Sequence, residues 1–295
     1  MKEIIFKGCG TALATPFTQD NKINYEVFSQ MIENQIKNKV DALIVCGTTG
    51  ESATMSDIER KECIKFVVDT VNKRVPVIAG TGSNNTASTI ELTKYAEQVG
   101  CNAALVVTPY YNKTTQLGLV VHYKAIANST SLPIIMYNVP SRTGVNILPE
   151  TCLELSKVSN IVAIKEASGN MSQVCKIKYL CKDELNIYSG NDDLIVPILS
   201  IGGLGVISVL SNIVPNFTTQ ICKFYFNGYS KEASEMQINS LSLINSLFCE
   251  VNPIPVKYAL NKIGYNYGKP RLPLIELSSS NKELVNTQLK KFQII

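Results

Sequence analysis

A pattern repeated along most of the chain limits what it can fold into. Eight short apolar runs, each closed by turn residues, alternate with helix-length segments. The runs occupy residues 9–17, 42–46, 75–79, 103–107, 133–137, 161–165, 186–189 and 205–208. Short apolar runs that stop at Gly, Pro, Asn or Thr read as strands buried on both faces, the mark of a parallel sheet. Eight strand–helix units in succession predict a (β/α)8 barrel, placed at residues 1–225. A doubly wound sheet is the other solution, but the Gly80-Thr81-Gly82 stretch lacks the third glycine of a dinucleotide fingerprint. The helical segments carry their own signals. Asn24 is placed to cap a helix with the apolar stripe Phe28, Ile32, Ile36 and Val40, and Ser56 with Glu59 forms a capping box. Residues 226–295 show no convincing strand and read as a helical appendage, with Pro253 and Pro255 as breaks and a polar final helix over 281–292.

The chain has 295 residues, 45% of them hydrophobic and 18% charged, enough for a large core and too apolar for disorder. A net charge of +4 without a basic cluster interleaved with aromatics argues against nucleic acid as a partner. No apolar run reaches the length of a membrane span. The opening Met1-Lys2-Glu3-Ile4 is charged too early for a signal peptide, so a cytoplasmic protein is expected. Nine scattered cysteines without a CxxC pair fit reduced, mostly buried thiols and leave no zinc motif. The single histidine, His122, rules out a multi-histidine metal site and reads as a packed helix residue. Proton chemistry would then fall to tyrosine, lysine or a carboxylate.

In a barrel of this kind the chemistry sits at the carboxyl ends of the strands. The sixth run, Ile161-Val162-Ala163-Ile164-Lys165, delivers a lysine to that end. An amine desolvated there is less strongly held in its charged form and can attack a carbonyl, although strand-end lysines that reach out to water are also common. Tyr137 ends the neighbouring strand and offers a phenol for proton transfer, with Thr49 as a hydroxyl relay. The Gly47-Thr48-Thr49-Gly50-Glu51 loop offers N–H groups and hydroxyls to a carboxylate or phosphate, or is a plain glycine turn. Arg142, in the loop between Pro140 and Gly144, is a fork for a carboxylate or a surface arginine. Tyr110 and Tyr111 could line the pocket or an interface. Together, lysine, tyrosine, threonine and arginine at one mouth describe a lyase or aldolase working through an imine.

Several of these stretches resemble the dihydrodipicolinate synthase family, within the N-acetylneuraminate lyase superfamily of Schiff-base aldolases. The resemblance runs through Gly10-Thr11-Ala12-Leu13-Ala14-Thr15-Pro16-Phe17, the Gly47–Glu51 loop, residues 75–84 and Val107-Thr108-Pro109-Tyr110-Tyr111-Asn112. It continues through residues 137–144, Ile164-Lys165-Glu166-Ala167 and Pro253-Ile254-Pro255-Val256-Lys257. It implies condensation of pyruvate with L-aspartate 4-semialdehyde to 4-hydroxy-tetrahydrodipicolinate, the first committed step of diaminopimelate and lysine synthesis. Lys165 would form the imine. Tyr137, Thr49 and Tyr111 would relay protons, Tyr111 reaching across a tight dimer interface from a neighbouring subunit. Thr48 would hold the pyruvate carboxylate and Arg142 that of the semialdehyde, with Gly190 and Ile207 offering backbone contacts. The resemblance implies no metal or organic cofactor, and a homotetramer built as a dimer of dimers.

Sialate lyases and 2-keto-3-deoxy sugar-acid aldolases share the lysine and tyrosine but lack the arginine of the Tyr137–Gly144 pattern, so they are the second reading. A catalytically inactive paralogue would have lost Lys165 or Tyr137, and both are present. In lysine-inhibited members the effector binds among positions matching Ser52, Ala53, Asp57, Arg60, Asn84, Ser88 and Tyr110. Responsive members tend to have histidine or a second basic group at Asp57 and glutamate at Ser88. A chain without that carboxylate lacks a partner for the ligand's ammonium, and weak or absent lysine feedback is expected.

Overall fold

The computed structural model describes residues 2–295. The apolar runs become eight strands: β1 (Gly8–Ala12), β2 (Ala42–Val45), β3 (Val77–Gly80), β4 (Ala103–Val107), β5 (Ile134–Asn138), β6 (Ile161–Glu166), β7 (Asn186–Ser189) and β8 (Gly205–Ser208). Each pairs in parallel with the next, and β8 pairs with β1, closing the barrel in chain order. The outer layer contains α1 (Tyr25–Lys37), α2 (Asp57–Val71), α3 (Thr86–Gln98), α4 (Gln116–Ala127), α6 (Pro149–Ser156), α7 (Met171–Cys181), α8 (Ile195–Ser200) and α9 (Pro215–Phe226), while the short α5 (Pro140–Thr143) lies at the mouth after β5. The tail adds α10 (Ser230–Leu247), α11 (Ile254–Lys262) and α12 (Ser279–Lys291). Among the described residues no helix is long and apolar enough to cross a membrane.

Local signals set most helix starts. The Asn24 side chain accepts the Val27 N–H, and Ser56 and Glu59 form the reciprocal capping box at α2. Such caps each contribute about 1 kcal/mol. The first strand is shorter than the run suggests. It stops at Ala12, and residues 13–17 turn into the barrel mouth. There the Thr15 hydroxyl donates to the Gly50 carbonyl, and Phe17 N–H donates to the Tyr267 carbonyl in the tail. Leu13 N–H still donates to the Ile44 carbonyl and Phe17 bridges to Ile23, but the segment leaves the barrel and is covered by the mouth loops and the tail.

Inside the barrel, Ala12, Ile44, Ile78, Leu105, Ile135, Ala163 and Ile207 pack together. Phe6 stacks on Tyr188 with ring centroids 4.3 Å apart, and the Tyr188 hydroxyl donates to the Phe6 carbonyl at 2.6 Å. A separate and larger apolar layer lies between strands and helices. His122 is part of that outer shell. It is buried on α4, with Nδ1 2.9 Å from the Thr86 hydroxyl, and burial pushes its imidazole down to about 4, so it is neutral.

The tail is fastened to the mouth by a buried ion pair. Lys257 of α11 donates to Glu51 Oε1 at 2.7 Å, and neither side chain is exposed. Glu51 also accepts the Arg271 N–H at 2.9 Å, while Lys257 donates to the Lys269 carbonyl and lies 4.0 Å from the Phe17 ring centroid. Burial pushes the Lys257 ammonium down to about 8, against the pull of the Glu51 carboxylate. Removing one member leaves the other charge buried and unpaired, at a cost of about 3–5 kcal/mol. Lys257→Met should therefore lower unfolding stability by about that amount. Chemical denaturation of the variant checks this, and a loss below about 1 kcal/mol would contradict it.

Candidate active site

Strand alternation decides which side chains reach the barrel interior. In register, Tyr137 of β5 lies opposite Lys165 of β6, which lies opposite Tyr188 of β7. Ala163 and Tyr188 belong to the interior cluster, and Lys165, two residues beyond Ala163, points the same way. Its side chain is buried, with Nζ 4.3 Å from the centre of the Tyr137 ring. Glu166, one residue on, faces outward. Its carboxylate accepts from the Asn138 and Gln173 amides and from the Ser168 N–H. The one-residue offset separates an amine facing the barrel interior from a carboxylate engaged in hydrogen bonds outside it.

Lys165 opens into a cavity of about 360 Å³ whose wall includes Thr48, Thr49, Tyr137, Arg142 and Gly190. A glycine at 190 is required by space, since a Cβ would come 2.5 Å from Ala167 Cβ and 3.1 Å from Lys165 Cε. Thr49 is buried, and its hydroxyl accepts from the Asn252 amide at 3.0 Å. Arg142 lies on the short helix α5 rather than in an irregular loop. Pro140 starts that helix, and Gly144, at φ 69°, ends it. The Arg142 guanidinium donates to the Asn252 carbonyl at 3.2 Å. Asn252 of the tail thus touches both the threonine and the arginine. It and the Glu51–Lys257 pair were not singled out from sequence, because their partners lie 110 to 206 positions away.

Ile207 is buried in β8 and does not line the cavity, although Val209 just beyond it does. Tyr111 is also absent from that wall. It follows β4 with a left-handed φ of 72° and is 91% exposed in the single chain. It lines an adjoining hollow of about 490 Å³ together with Tyr110, Ser52, Ala53 and Arg60. Tyr137, Thr48, Arg142 and Asn252 border both spaces. Of the other positions matched to the effector site, Asp57 and Ser88 are exposed and Asn84 is half-buried, its carbonyl accepting from the Asn112 amide. None of these three lines the hollow. Among the described residues no cluster of three or more His, Cys, Asp or Glu could hold a metal ion.

A carbonyl compound entering the cavity would meet a buried amine, a phenol beside it, two threonines and, at the rim, an arginine. That set can form an imine, move protons and bind carboxylates. The model of the dihydrodipicolinate synthetase family matches residues 5–292. The chain is 56% identical to 4-hydroxy-tetrahydrodipicolinate synthase 1 of Clostridium acetobutylicum, over 99% of each. Among solved structures, dihydrodipicolinate synthase of Thermotoga maritima is 42% identical with a TM-score of 0.96, over 99% of this chain and 100% of that one. The chloride-inhibited dihydrodipicolinate synthase of Acinetobacter baumannii, complexed with pyruvate, is 39% identical with a TM-score of 0.97, over 99% and 100%.

Proposed function

The chain belongs to the dihydrodipicolinate synthetase family, and we propose that it condenses pyruvate with L-aspartate 4-semialdehyde to give 4-hydroxy-tetrahydrodipicolinate. The observation that carries this reading is the buried Lys165 beside Tyr137 at the base of a cavity rimmed by Arg142.

The neutral Lys165 amine attacks the pyruvate ketone, forming a C–N bond, and the carbonyl oxygen leaves as water after protonation. Tyr137 is the proton donor and acceptor at this carbon, relayed by Thr49 and Tyr111. The Thr48 side of the Gly47–Glu51 loop takes the pyruvate carboxylate, with Gly190 and the Ile207 backbone nearby. Loss of a methyl proton gives an enamine that attacks the aldehyde carbon of the second substrate, whose carboxylate Arg142 binds. Attack of that substrate's amine on the imine carbon then closes the ring and releases Lys165. The mechanism needs no metal or organic cofactor. Residues 1–225 are read as the catalytic barrel and 226–295 as its helical region, in a cytoplasmic protein whose nine thiols are free.

Borohydride treatment followed by mass spectrometry tests the chemistry. Pyruvate should leave a reduced pyruvyl adduct on Lys165, and N-acetylneuraminate should leave none. An adduct from the sialate, with N-acetylmannosamine released, would make the protein a sialate lyase. No adduct from either would remove Lys165 from the mechanism.

Tyr111, exposed and held at a left-handed φ, is read as acting in the site of a second copy within a dimer of dimers. A mixture of Lys165→Ala and Tyr111→Phe subunits, each impaired alone, should then regain activity, because one site of each mixed dimer is whole. An exchanged mixture no more active than its parents would overturn the shared site.

Weak or absent lysine feedback follows from Ser88 and Asp57, which offer the effector neither the carboxylate nor the basic group of responsive relatives. A steady-state inhibition constant for lysine below millimolar would contradict it.

A further inference from the structure

An imine that takes part in this reaction is cationic, and it forms where Lys165 is shielded from water. A cation in such a place is costly unless a fixed negative group faces it. Glu166 is not that group, because its carboxylate is turned outward and engaged by Asn138, Gln173 and Ser168. Asp192, just beyond β7, is buried and lines the same cavity as Lys165. One of its oxygens, Oδ2, accepts the N–H groups of Val209 at 3.0 Å and Leu210 at 2.9 Å. The other, Oδ1, is buried without a hydrogen-bond partner. Oδ2 holds the turn after β8, and among the described residues no polar group beyond those N–H groups and the nearby Ser208 hydroxyl hydrogen-bonds the carboxylate.

We propose that Asp192 is a positioning residue for the pyruvate half-reaction, its carboxylate serving as the fixed counter-charge of the cationic imine on Lys165. This rests on the reading of Lys165 as the imine lysine. No atom is transferred to or from Asp192. Amine, ketone and one proton become iminium and water, and the carboxylate lowers the energy of the cationic product relative to the neutral amine. Burial is the largest influence on the Asp192 carboxyl and pushes it up; the Ser208 hydroxyl, the Leu210 and Val209 N–H groups and, last, the Lys165 cation pull it back down. Asp193 and Tyr137 also line the cavity, Asp193 exposed to solvent, and the buried titratable groups that interact with Asp192 include the thiols of Cys9 in β1 and Cys222 in α9. Burial pushes both up, so they stay neutral and do not compete.

The test compares the full-length protein with Asp192→Asn, which keeps an acceptor for the Val209 and Leu210 N–H groups without the charge, and with Asp192→Ser, which is uncharged and has a shorter hydroxyl. Capture of the pyruvyl imine by cyanoborohydride, which reduces the cationic form, is followed against pH and pyruvate concentration. In the variants the alkaline limb should move about one pH unit lower, and half-maximal capture should need about tenfold more pyruvate. Folded variants with the wild-type profile would overturn the proposal. Loss of cooperative unfolding in both variants would also overturn it, since the carboxyl would then be required only to hold the turn. Failure of the wild-type protein to form any adduct would refute the Lys165 reading instead, so the two failures are distinguishable.

Discussion

The mouth of this barrel depends on one buried ion pair, Glu51 with Lys257. The loop after β2 contains a run of glycines and threonines that has little intrinsic reason to hold one shape. Glu51 itself sits at a left-handed φ of 57°. By accepting from Lys257 and from the Arg271 N–H, its carboxylate ties that loop to the helical tail. A buried pair of this kind is no net gain over a well-packed apolar contact, but it penalises any arrangement that leaves one charge alone. With the tail held there, Asn252 reaches the Thr49 hydroxyl and the Arg142 guanidinium. The tail therefore acts as a wall of the active site as well as cover for the barrel.

The barrel contributes a different kind of order. Parallel pairing in register puts Tyr137 beside Lys165, and the two-residue period of the strand turns Lys165 inward and Glu166 outward. Gly190 then leaves the space that the lysine side chain needs. The amine is held by strands on both sides, while Thr48 and Arg142, the groups proposed to meet substrate carboxylates, sit on a loop and on the short α5. Rigid chemistry with adjustable recognition is the usual division of labour in this architecture.

Much of this was legible in the residues. Eight apolar runs specify eight strands because burial on both faces leaves little room for polar residues between turn signals. The placement of Lys165 and Tyr137 at neighbouring strand ends followed from counting alone. Arg142 shows a limit of that reading. Pro140 and Gly144 are start and stop signals of a one-turn helix, but four residues are too few for periodicity to register. Residues 13–17 show another, since their apolar character reflects burial under the mouth loops and tail, beyond the end of the barrel strand. Asn252, Lys257 and the Glu51 contact were hidden for a physical reason. Their partners are distant in sequence, and hydrophobic pattern reports burial without naming the partner. Asp192 was nearer to view, as the first of two aspartates that follow the strand-end Gly190 and Asn191, in the region where barrels keep their chemistry.

The most direct test of the account is a crystal structure of the protein grown with pyruvate. The account predicts continuous density from Lys165 Nζ to a three-carbon unit, its carboxylate against Thr48, and the Glu51–Lys257 pair intact behind it. Pyruvate bound without a bond to Lys165, or bound outside the cavity that Lys165 shares with Tyr137, would contradict it.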